Sequence, residues 1–241
     1  MDGKIITELL DELRRIHRQL GELNYRIDRF KRVVAASQNA VVKANENLKA
    51  QNESKQAALL KARSQEKEAA DALRELERRR AQLDMAKSNR EYEQIKLQIE
   101  LEERKNDAAA DAALEALANV DAEDAKLKER NDELTAAKEK LAKAQEDLST
   151  NEPKLRKEIE NATARLRDAE SRLPREFAGQ YERAVTNFGG DALAPLSDGG
   201  FCGSCDRQIP TETVMKVCAG AAVLCTSCGR LLYAPAGFKF R

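Results

Sequence analysis

The four residues Ser88-Asn89-Arg90-Glu91 lie near the middle of a 241-residue chain whose flanking sequence is typical of long helices. Serine followed three residues later by glutamate is a capping box: the Ser88 hydroxyl accepts a hydrogen bond from the Glu91 amide, and the Glu91 carboxylate accepts one from the Ser88 amide. The pattern predicts that a new helix begins here. Because serine and glutamate are common in charged helices, the flanking sequence must decide whether the chain folds back at this point.

Apolar residues on both sides of this stretch follow the heptad pattern of a coiled coil, at alternating spacings of three and four in the first half and at spacings of seven, then of four and three, in the second. A hairpin folded near residue 87 pairs positions whose numbers sum to about 174, so residues 6–34 face residues 140–168. Pro174 follows where the partner helix ends. A parallel dimer of one continuous helix is the competing architecture, but it leaves the matching lengths unexplained. The first series is Ile6, Leu9, Leu13, Ile16, Leu20, Leu23, Ile27, Phe30 and Val34; the second includes Val120, Leu127, Leu134, Leu141, Leu148, Leu155, Ile159, Ala162, Leu166, Ala169 and Leu173.

The composition excludes a large globular core, because charged residues make up 35% of the chain, aromatic residues 4%, and tryptophan is absent. Lysine plus arginine (42) balances aspartate plus glutamate (42), so the chain as a whole does not attract nucleic acid or an anionic membrane. No apolar signal core follows Met1, and no stretch approaches the ~20 apolar residues of a membrane span. We therefore expect a cytoplasmic protein without membrane insertion.

The composition changes at Gly189-Gly190, where glycine, proline, cysteine and strand-forming residues replace the helical pattern. Just before this point, residues 175–188 are compatible with a short helix that has Phe177, Tyr181, Ala184 and Val185 on one face. The sequence therefore predicts a helical hairpin domain over residues 1–188, with its turn near 84–89 and a bracket helix over 175–188. A second domain is predicted over residues 189–241.

Four cysteines in this second domain form two CxxC pairs, Cys202/Cys205 and Cys225/Cys228, separated by nineteen residues. Two such turns supply the four thiolates that a tetrahedral zinc ion requires. A redox dithiol or a pair of disulfides is the alternative, and a cytoplasmic location disfavours it. Four protein ligands leave no open position, so one structural zinc ion is expected rather than a catalytic one.

The predicted fold class is therefore mainly α: a long antiparallel coiled-coil helical hairpin followed by a small C-terminal β zinc ribbon. The sequence also predicts the environments of Cys218 and His17. Cys218, the fifth cysteine, is expected to be a small buried apolar residue rather than an alternative ligand. His17, the only histidine, is expected to be a solvated helix residue.

Cations and aromatic rings alternate in the last four residues, a pattern suited to stacking on unpaired bases. The alternative is a tail that packs on the small core of the ribbon. The net charge of residues 200–241 is only slightly positive, and four thiolates with one zinc ion reduce it further, which is weak for a phosphate-binding surface. The candidate contacts with nucleic acid or a partner are Arg207, Arg230, Phe238, Lys239, Phe240 and Arg241.

The four cysteines, the segment Cys228-Gly229-Arg230-Leu231-Leu232-Tyr233 and the segment Ser88-Asn89-Arg90-Glu91-Tyr92 together resemble a bacterial family of C4-type zinc-ribbon proteins with an N-terminal coiled-coil hairpin. The resemblance implies zinc ligation by Cys202, Cys205, Cys225 and Cys228. Some members of that family are flagellar or secretion-linked regulators that bind an alternative sigma factor as a chaperone and also bind messenger RNA. By resemblance alone, a sigma factor or a secretion or flagellar component is the implied protein partner.

The residues themselves favour a non-enzymatic adaptor or regulator that binds a macromolecular partner through the coiled coil and the ribbon. The sequence has no phosphate-binding glycine loop and no nucleophile with a histidine partner, so no small-molecule substrate is expected. The alternative function is RNA or other nucleic-acid binding through the zinc ribbon.

Overall fold

The computed structural model describes residues 3–239, and for residues 3 and 4 the backbone only. Two long helices, α1 (Gly3–Asp84) and α2 (Asn89–Ser171), pack as a hairpin, and a shorter helix α3 (Arg175–Phe188) follows. The predicted hairpin is therefore confirmed, and α2 continues without a break through Pro153. Between residues 3 and 239, no helix combines the length and the apolar character needed to cross a membrane.

The turn between α1 and α2 contains the predicted cap at Ser88. The Glu91 amide donates to the Ser88 hydroxyl at 3.2 Å, as the capping box requires. The Glu91 carboxylate accepts instead from the Lys87 amide, at 3.3 Å, one residue earlier than predicted. The chain therefore folds back where the sequence indicates, with one of the two expected cap bonds displaced.

The C-terminal part consists of a 3-10 turn (Gly189–Asp191), β1 (Leu193–Ser197), β2 (Phe201–Cys202), α4 (Thr211–Cys218), β3 (Val223–Leu224) and β4 (Leu231–Tyr233). Its strands form one sheet with the order β2-β1-β4-β3. Strands β1 and β2 are antiparallel, as are β3 and β4, and the parallel pair β1 and β4 joins the two hairpins. The mainly α fold class with a small terminal sheet is thus confirmed.

The chain divides into two compact units. Unit 1 combines the residues up to Val33 with those from Gln145 onward, and unit 2 comprises Val34–Ala144. The domain boundary that the sequence suggests near residue 189 lies within unit 1, and the division into residues 1–188 and 189–241 stays a prediction.

The largest apolar cluster described in unit 1 receives side chains from the long helices, α3 and the sheet. Leu13 of α1 and Leu231 of β4 are completely buried in it. The Tyr233 hydroxyl donates to the Asp11 carboxylate at 3.0 Å and accepts from Arg14 at 3.3 Å. The sheet and the start of α1 therefore share one core. Its buried members are Ile6, Leu9, Leu10, Leu13, Ile16, Ala162, Ala169, Phe177, Tyr181, Ala184, Ala192, Leu193, Leu231 and Tyr233.

Unit 2 has a thinner core, made of small side chains. Ala58, Ala62, Ala116 and Val120 are the buried members of its cluster, in agreement with the dilution of leucine by alanine in the sequence. Nearby, buried Glu123 accepts a hydrogen bond from the Gln51 side chain at 2.6 Å. A buried polar pair between two helices favours one alignment over its neighbours.

The alignment of the two helices departs from the predicted pairing in both units. In unit 2, Gln51 bonds to Glu123 at the predicted sum of 174, but Lys55 pairs with Asp124, whose numbers sum to 179. In unit 1, Leu23 packs with Leu155 rather than opposite Asn151, about one helical turn away from the predicted position. Burying leucine instead of a polar asparagine explains the shift.

His17 is buried, and the prediction that it is solvated was wrong. Its Nε2 atom lies 2.7 Å from the Tyr181 hydroxyl, and that hydroxyl donates to Glu170 at 2.9 Å. The tyrosine oxygen therefore accepts a hydrogen bond from His17. The prediction considered only a two-helix coiled coil, whereas α3 covers this side of α1. Burial lowers the pKa of His17, and the charge of Glu170 opposes that shift.

We expect the stability of the protein to decrease as the pH falls from about 7.5 to about 5.5, because the unfolded state binds a proton on His17 that the folded state disfavours. A glutamine side chain can donate to Tyr181 but does not titrate, so His17→Gln should reduce this pH dependence. Urea midpoints from circular dichroism at the two pH values measure the effect. An equal loss in the variant and the natural protein would contradict the assignment.

Two glycines of unit 1 allow a matched stability test, because a Cβ atom at Gly21 or Gly189 would meet nothing within 4 Å. Gly21 lies inside α1, where alanine should stabilise by about 0.5–1 kcal/mol. Gly189 has a φ of 54° and a ψ of −127°, a conformation that costs an alanine roughly 1–3 kcal/mol. Urea unfolding should therefore show opposite shifts for Gly21→Ala and Gly189→Ala. Shifts of the same sign would show that backbone conformation does not govern these positions.

Candidate metal centre

The two CxxC segments are turns with the same backbone hydrogen bonds. The Cys202 amide donates to the Arg207 carbonyl at 2.9 Å, and the Cys225 amide donates to the Arg230 carbonyl at 2.7 Å. Each of these cysteine carbonyls accepts a bond of 2.8 Å from the amide four residues later. The repeat places the two turns in equivalent local structures at the ends of β2 and β3.

Specific residues make these turns possible. Gly229 has a φ of 75°, and Asp206, at the equivalent position of the first turn, has a φ of 54°. Aspartate tolerates this left-handed conformation better than most residues do. Gly203 is required for a different reason, because a Cβ atom there would lie 2.8 Å from the Pro195 carbonyl oxygen.

The turns bring the sulfur atoms of Cys202, Cys205, Cys225 and Cys228 within 4.8 Å of one another. Sulfur atoms of opposite turns are 3.8 Å apart for Cys202 and Cys228 and 3.9 Å apart for Cys205 and Cys225. These distances far exceed a disulfide bond of about 2.05 Å. The four residues are thus free thiols that could together hold a metal ion.

Burial and hydrogen bonds act on these thiols in opposite directions. Burial raises the pKa of Cys202 to about 12 and also raises that of Cys225. For Cys228, burial is outweighed by hydrogen bonds from the Arg230 backbone and side chain and from neighbouring cysteines, which lower its pKa to about 7. A cation among the sulfurs would favour the thiolate form of all four.

Backbone amides of each turn also act on the sulfur atom of its first cysteine. The amides of Ser204 and Cys205 lower the pKa of Cys202, and those of Ser227 and Cys228 lower the pKa of Cys225, although burial outweighs both. These hydrogen bonds stabilise negative charge on the sulfur. The donors needed to support thiolate ligands are therefore supplied by the turns themselves.

Cys218 is exposed at the end of α4 and lies outside the four-cysteine group. The expectation that it is a buried apolar residue was wrong, because the buried face of this short helix is formed by Val214 and Val217.

The residues predicted to contact a partner have different surroundings. Arg207 and Lys239 are exposed. Arg230 donates to the Asp191 carbonyl at 2.8 Å, while Phe238 is partly buried against the apolar cluster that includes Cys202 and Cys225. Two further candidates, Phe240 and Arg241, lie outside the described residues.

The contact between Arg230 and Phe188 was not predicted from the sequence. The Arg230 guanidinium lies 4.9 Å from the centre of the Phe188 ring, at the end of α3. A Cβ atom at Gly229 would also touch this ring, at 3.3 Å. Arg230 follows the second turn directly, but nothing in the local sequence indicates that Phe188 approaches it.

Fold and site together define a class of protein: a helical hairpin followed by a small sheet with four clustered cysteines. No family model and no curated protein matches the sequence. The structure is similar to that of the HP0958 protein from Helicobacter pylori CCUG 17874, with a TM-score of 0.65, 15% identity, and coverage of 94% of this chain and 96% of the other. It is also similar to CT398 from Chlamydia trachomatis, with a TM-score of 0.71, 13% identity, and coverage of 96% and 99%. At these identities the likeness shows that the fold is shared.

We expect native mass spectrometry of the full chain to find one bound metal ion, and the double variant Cys205→Ser, Cys228→Ser to lose it, because a neutral hydroxyl is a poor replacement for a thiolate ligand. Cys218→Ser is the matched control and should retain the ion. Retention by the double variant, or an equal loss in the control, would contradict the assignment of ligands.

Proposed function

We propose that this protein is a non-enzymatic adaptor or regulatory protein, in which a C4 zinc ribbon holding one structural zinc ion supports a coiled-coil hairpin that binds a macromolecular partner. The observation that carries the proposal is the cluster of four cysteine sulfurs in the same compact unit as the start of α1 and the end of α2. Zinc ligation, the type of partner and a cytoplasmic location all belong to this proposal.

Zinc fits the sulfur atoms better than a disulfide arrangement or a hard cation does. A tetrahedral site with Zn–S bonds of about 2.3 Å has neighbouring sulfurs about 3.8 Å apart. The distances of 3.8 Å and 3.9 Å between sulfurs of opposite turns agree with this value. Calcium and magnesium prefer oxygen ligands, whereas four thiolates favour zinc or another thiophilic metal.

A structural role for the ion follows from what the cysteines touch. Cys202 and Cys225 are buried in an apolar cluster with Leu196 of β1 and Leu232 of β4. On β4, the neighbouring residues Leu231 and Tyr233 belong to the core shared with the long helices. An ion that fixes the two turns therefore supports the sheet on which α1 and α3 pack. Four filled ligand positions leave none for a substrate, which supports the non-enzymatic reading.

The hairpin also exposes apolar side chains that a protein partner could bury. On α2 in unit 2, Leu97 is 62% exposed and Leu101, one turn later, is 52% exposed. Residues four apart lie on the same side of a helix, so the two leucines form one small apolar patch. The resemblance to zinc-ribbon regulators supports a sigma factor or a secretion or flagellar component as the partner.

RNA binding through the ribbon has weaker support than binding of a protein. Two of the candidate contacts, Arg230 and Phe238, are engaged within the protein, by the Asp191 carbonyl and by the apolar cluster respectively. Each such contact must be broken or kept out of the RNA interface, which reduces the surface for stacking and phosphate contacts.

The test is cross-linking and affinity purification with the full chain, followed by mass spectrometry. The natural protein should retain a defined partner and one zinc ion. In the variant Cys202→Ser, Cys225→Ser, loss of zinc should weaken the capture of any partner that needs the ribbon or the adjoining helices.

Cys218→Ser is again the control and should behave like the natural protein. Failure to capture a reproducible macromolecular partner with the zinc-loaded natural protein would refute the adaptor function. A metal other than zinc in the purified protein would refute the zinc assignment.

A further inference from the structure

One side of α1 in unit 1 carries a row of arginines that is separate from its buried apolar side. Spacings of three and four along the helix keep the row within an arc of about 80°. Tyr25, in this row, is 61% exposed. We call this row the arginine face; it consists of Arg14, Arg18, Glu22, Tyr25, Arg29 and Arg32.

Most of the positive charge on the arginine face is not neutralised within the protein. Among residues 3–239, Arg18, Arg29 and Arg32 have no carboxylate within ion-pair distance. Arg15, just beside the face, is by contrast paired with Asp11 at 2.6 Å. Like charges one helical turn apart destabilise a helix, so an anionic partner along this face would relieve a local cost.

The C-terminal half of the face, from Tyr25 to Arg32, has the features of a contact site for protein. Arg32 lies 5.4 Å from the centre of the Tyr25 ring, which holds a cation and an aromatic ring together at the surface. Tyrosine and arginine are enriched among the residues that dominate protein interfaces. Gly21 lies beside them and has no side chain, and a Cβ atom at this position would meet nothing within 4 Å. The surface next to Tyr25 is therefore open.

A cavity of about 480 Å³ lies along the N-terminal part of the face, from Arg14 to Tyr25. Its lining includes Arg14, Arg18 and Tyr25 from α1, and Asp191 and Ser204 from the C-terminal part of unit 1. Ser204 lies between the first two cysteines. The arginine face is therefore continuous with a concave surface beside the candidate metal centre, where a bound chain could contact both.

We propose that the arginine face binds an acidic amphipathic helix of a protein partner, an inference that rests on the proposed function and names the chemistry of the partner. From Arg18 to Arg32 the spacings are four, three, four and three, the repeat by which one helix follows another. A partner helix with carboxylates at the same spacings meets Arg14 and Arg18 at one end of the face and Arg29 and Arg32 at the other, with Glu22 and Tyr25 between the two pairs. Over the 18 residues from Arg14 to Arg32 the face is about 27 Å long, or five helical turns.

The carboxylates on this surface favour an acidic helix over RNA. Glu22 lies within the arginine face and Asp191 lines the cavity. A continuous phosphate backbone would be repelled at both places, whereas a peptide helix can place a single lysine opposite Glu22.

The experiment measures binding of a synthetic peptide to the full-length protein by fluorescence anisotropy. The probe is an alanine-based helical peptide with glutamates at alternating spacings of three and four and one central lysine. We expect the natural protein to bind this peptide more tightly than a peptide of the same composition with scrambled spacing. Arg18→Glu, Arg29→Glu should weaken binding by about tenfold or more, since two charge pairs become repulsive.

Arg63→Glu, Arg104→Glu is the matched control, because both arginines are exposed and the change in net charge is the same. It should bind the probe like the natural protein. A peptide in which lysines replace the glutamates should bind Arg18→Glu, Arg29→Glu more tightly than the natural protein. This reversal depends on charge at the face and cannot result from a folding defect.

Three results would overturn the inference: equal affinity for patterned and scrambled peptides, equal weakening by the control variant, or tight binding of polyuridine RNA through the arginine face with no binding of the patterned peptide. The proposed function has a separate readout. If cross-linking captures a partner equally well with Arg18→Glu, Arg29→Glu, the adaptor function stands and the arginine face is not its docking surface. If no partner is captured, the adaptor function is refuted, whether or not the patterned peptide binds.

Discussion

The approach of the four cysteine sulfurs to within 4.8 Å is the constraint on which the C-terminal part of unit 1 depends. Strands β2 and β3 have two residues each and β4 has three, so strand pairing contributes few hydrogen bonds. An isolated sheet of this size is too small to bury its own core. In the proposed function, one zinc ion supplies the missing link by fixing the turn after β2 to the turn after β3. The parallel pairing of β1 with β4 lies between these turns.

The face of β4 that packs on the helices adds a second constraint. Polar groups in this core form hydrogen bonds that restrict how β4 and α3 are oriented on α1. Tyr233 bonds to Asp11 and Arg14 of α1, and Tyr181 of α3 bonds to His17 and Glu170. An apolar contact alone permits many orientations of a helix on a sheet. Hydrogen bonds between buried groups permit few, because each alternative orientation leaves a donor or an acceptor unpaired. The placement of α3 and β4 on α1 is therefore specified by a small number of polar contacts.

The sequence predicted those features that depend on local pattern and failed for those that depend on tertiary packing. Heptad spacing identified buried residues such as Leu13 and Leu155, and the two CxxC pairs identified the cysteines that cluster. His17 was misassigned because its burial arises from Tyr181, a residue far away in the chain. The one-turn shift of Leu155 against Leu23 was missed because pairing by length alone ignores which side chains are buried. Zinc ligation and the partner contacts remain predictions, since chemistry rather than chain geometry decides them.

Helix α1 thus carries two rows of side chains with the same period and opposite character. The apolar row, through Leu23 and Ile27, is buried with Leu155 of α2, whereas the arginine face, displaced by two residues, is exposed from Arg18 onward. Because both rows have the same period, a second helix could pack along either one. Charge must therefore determine which kind of helix binds to each row. Two arginine faces repel each other, and an apolar helix would leave their charges desolvated and unpaired. As the proposed docking surface, the face therefore favours a helical partner that carries negative charge at the same period over a second copy of itself or over α2.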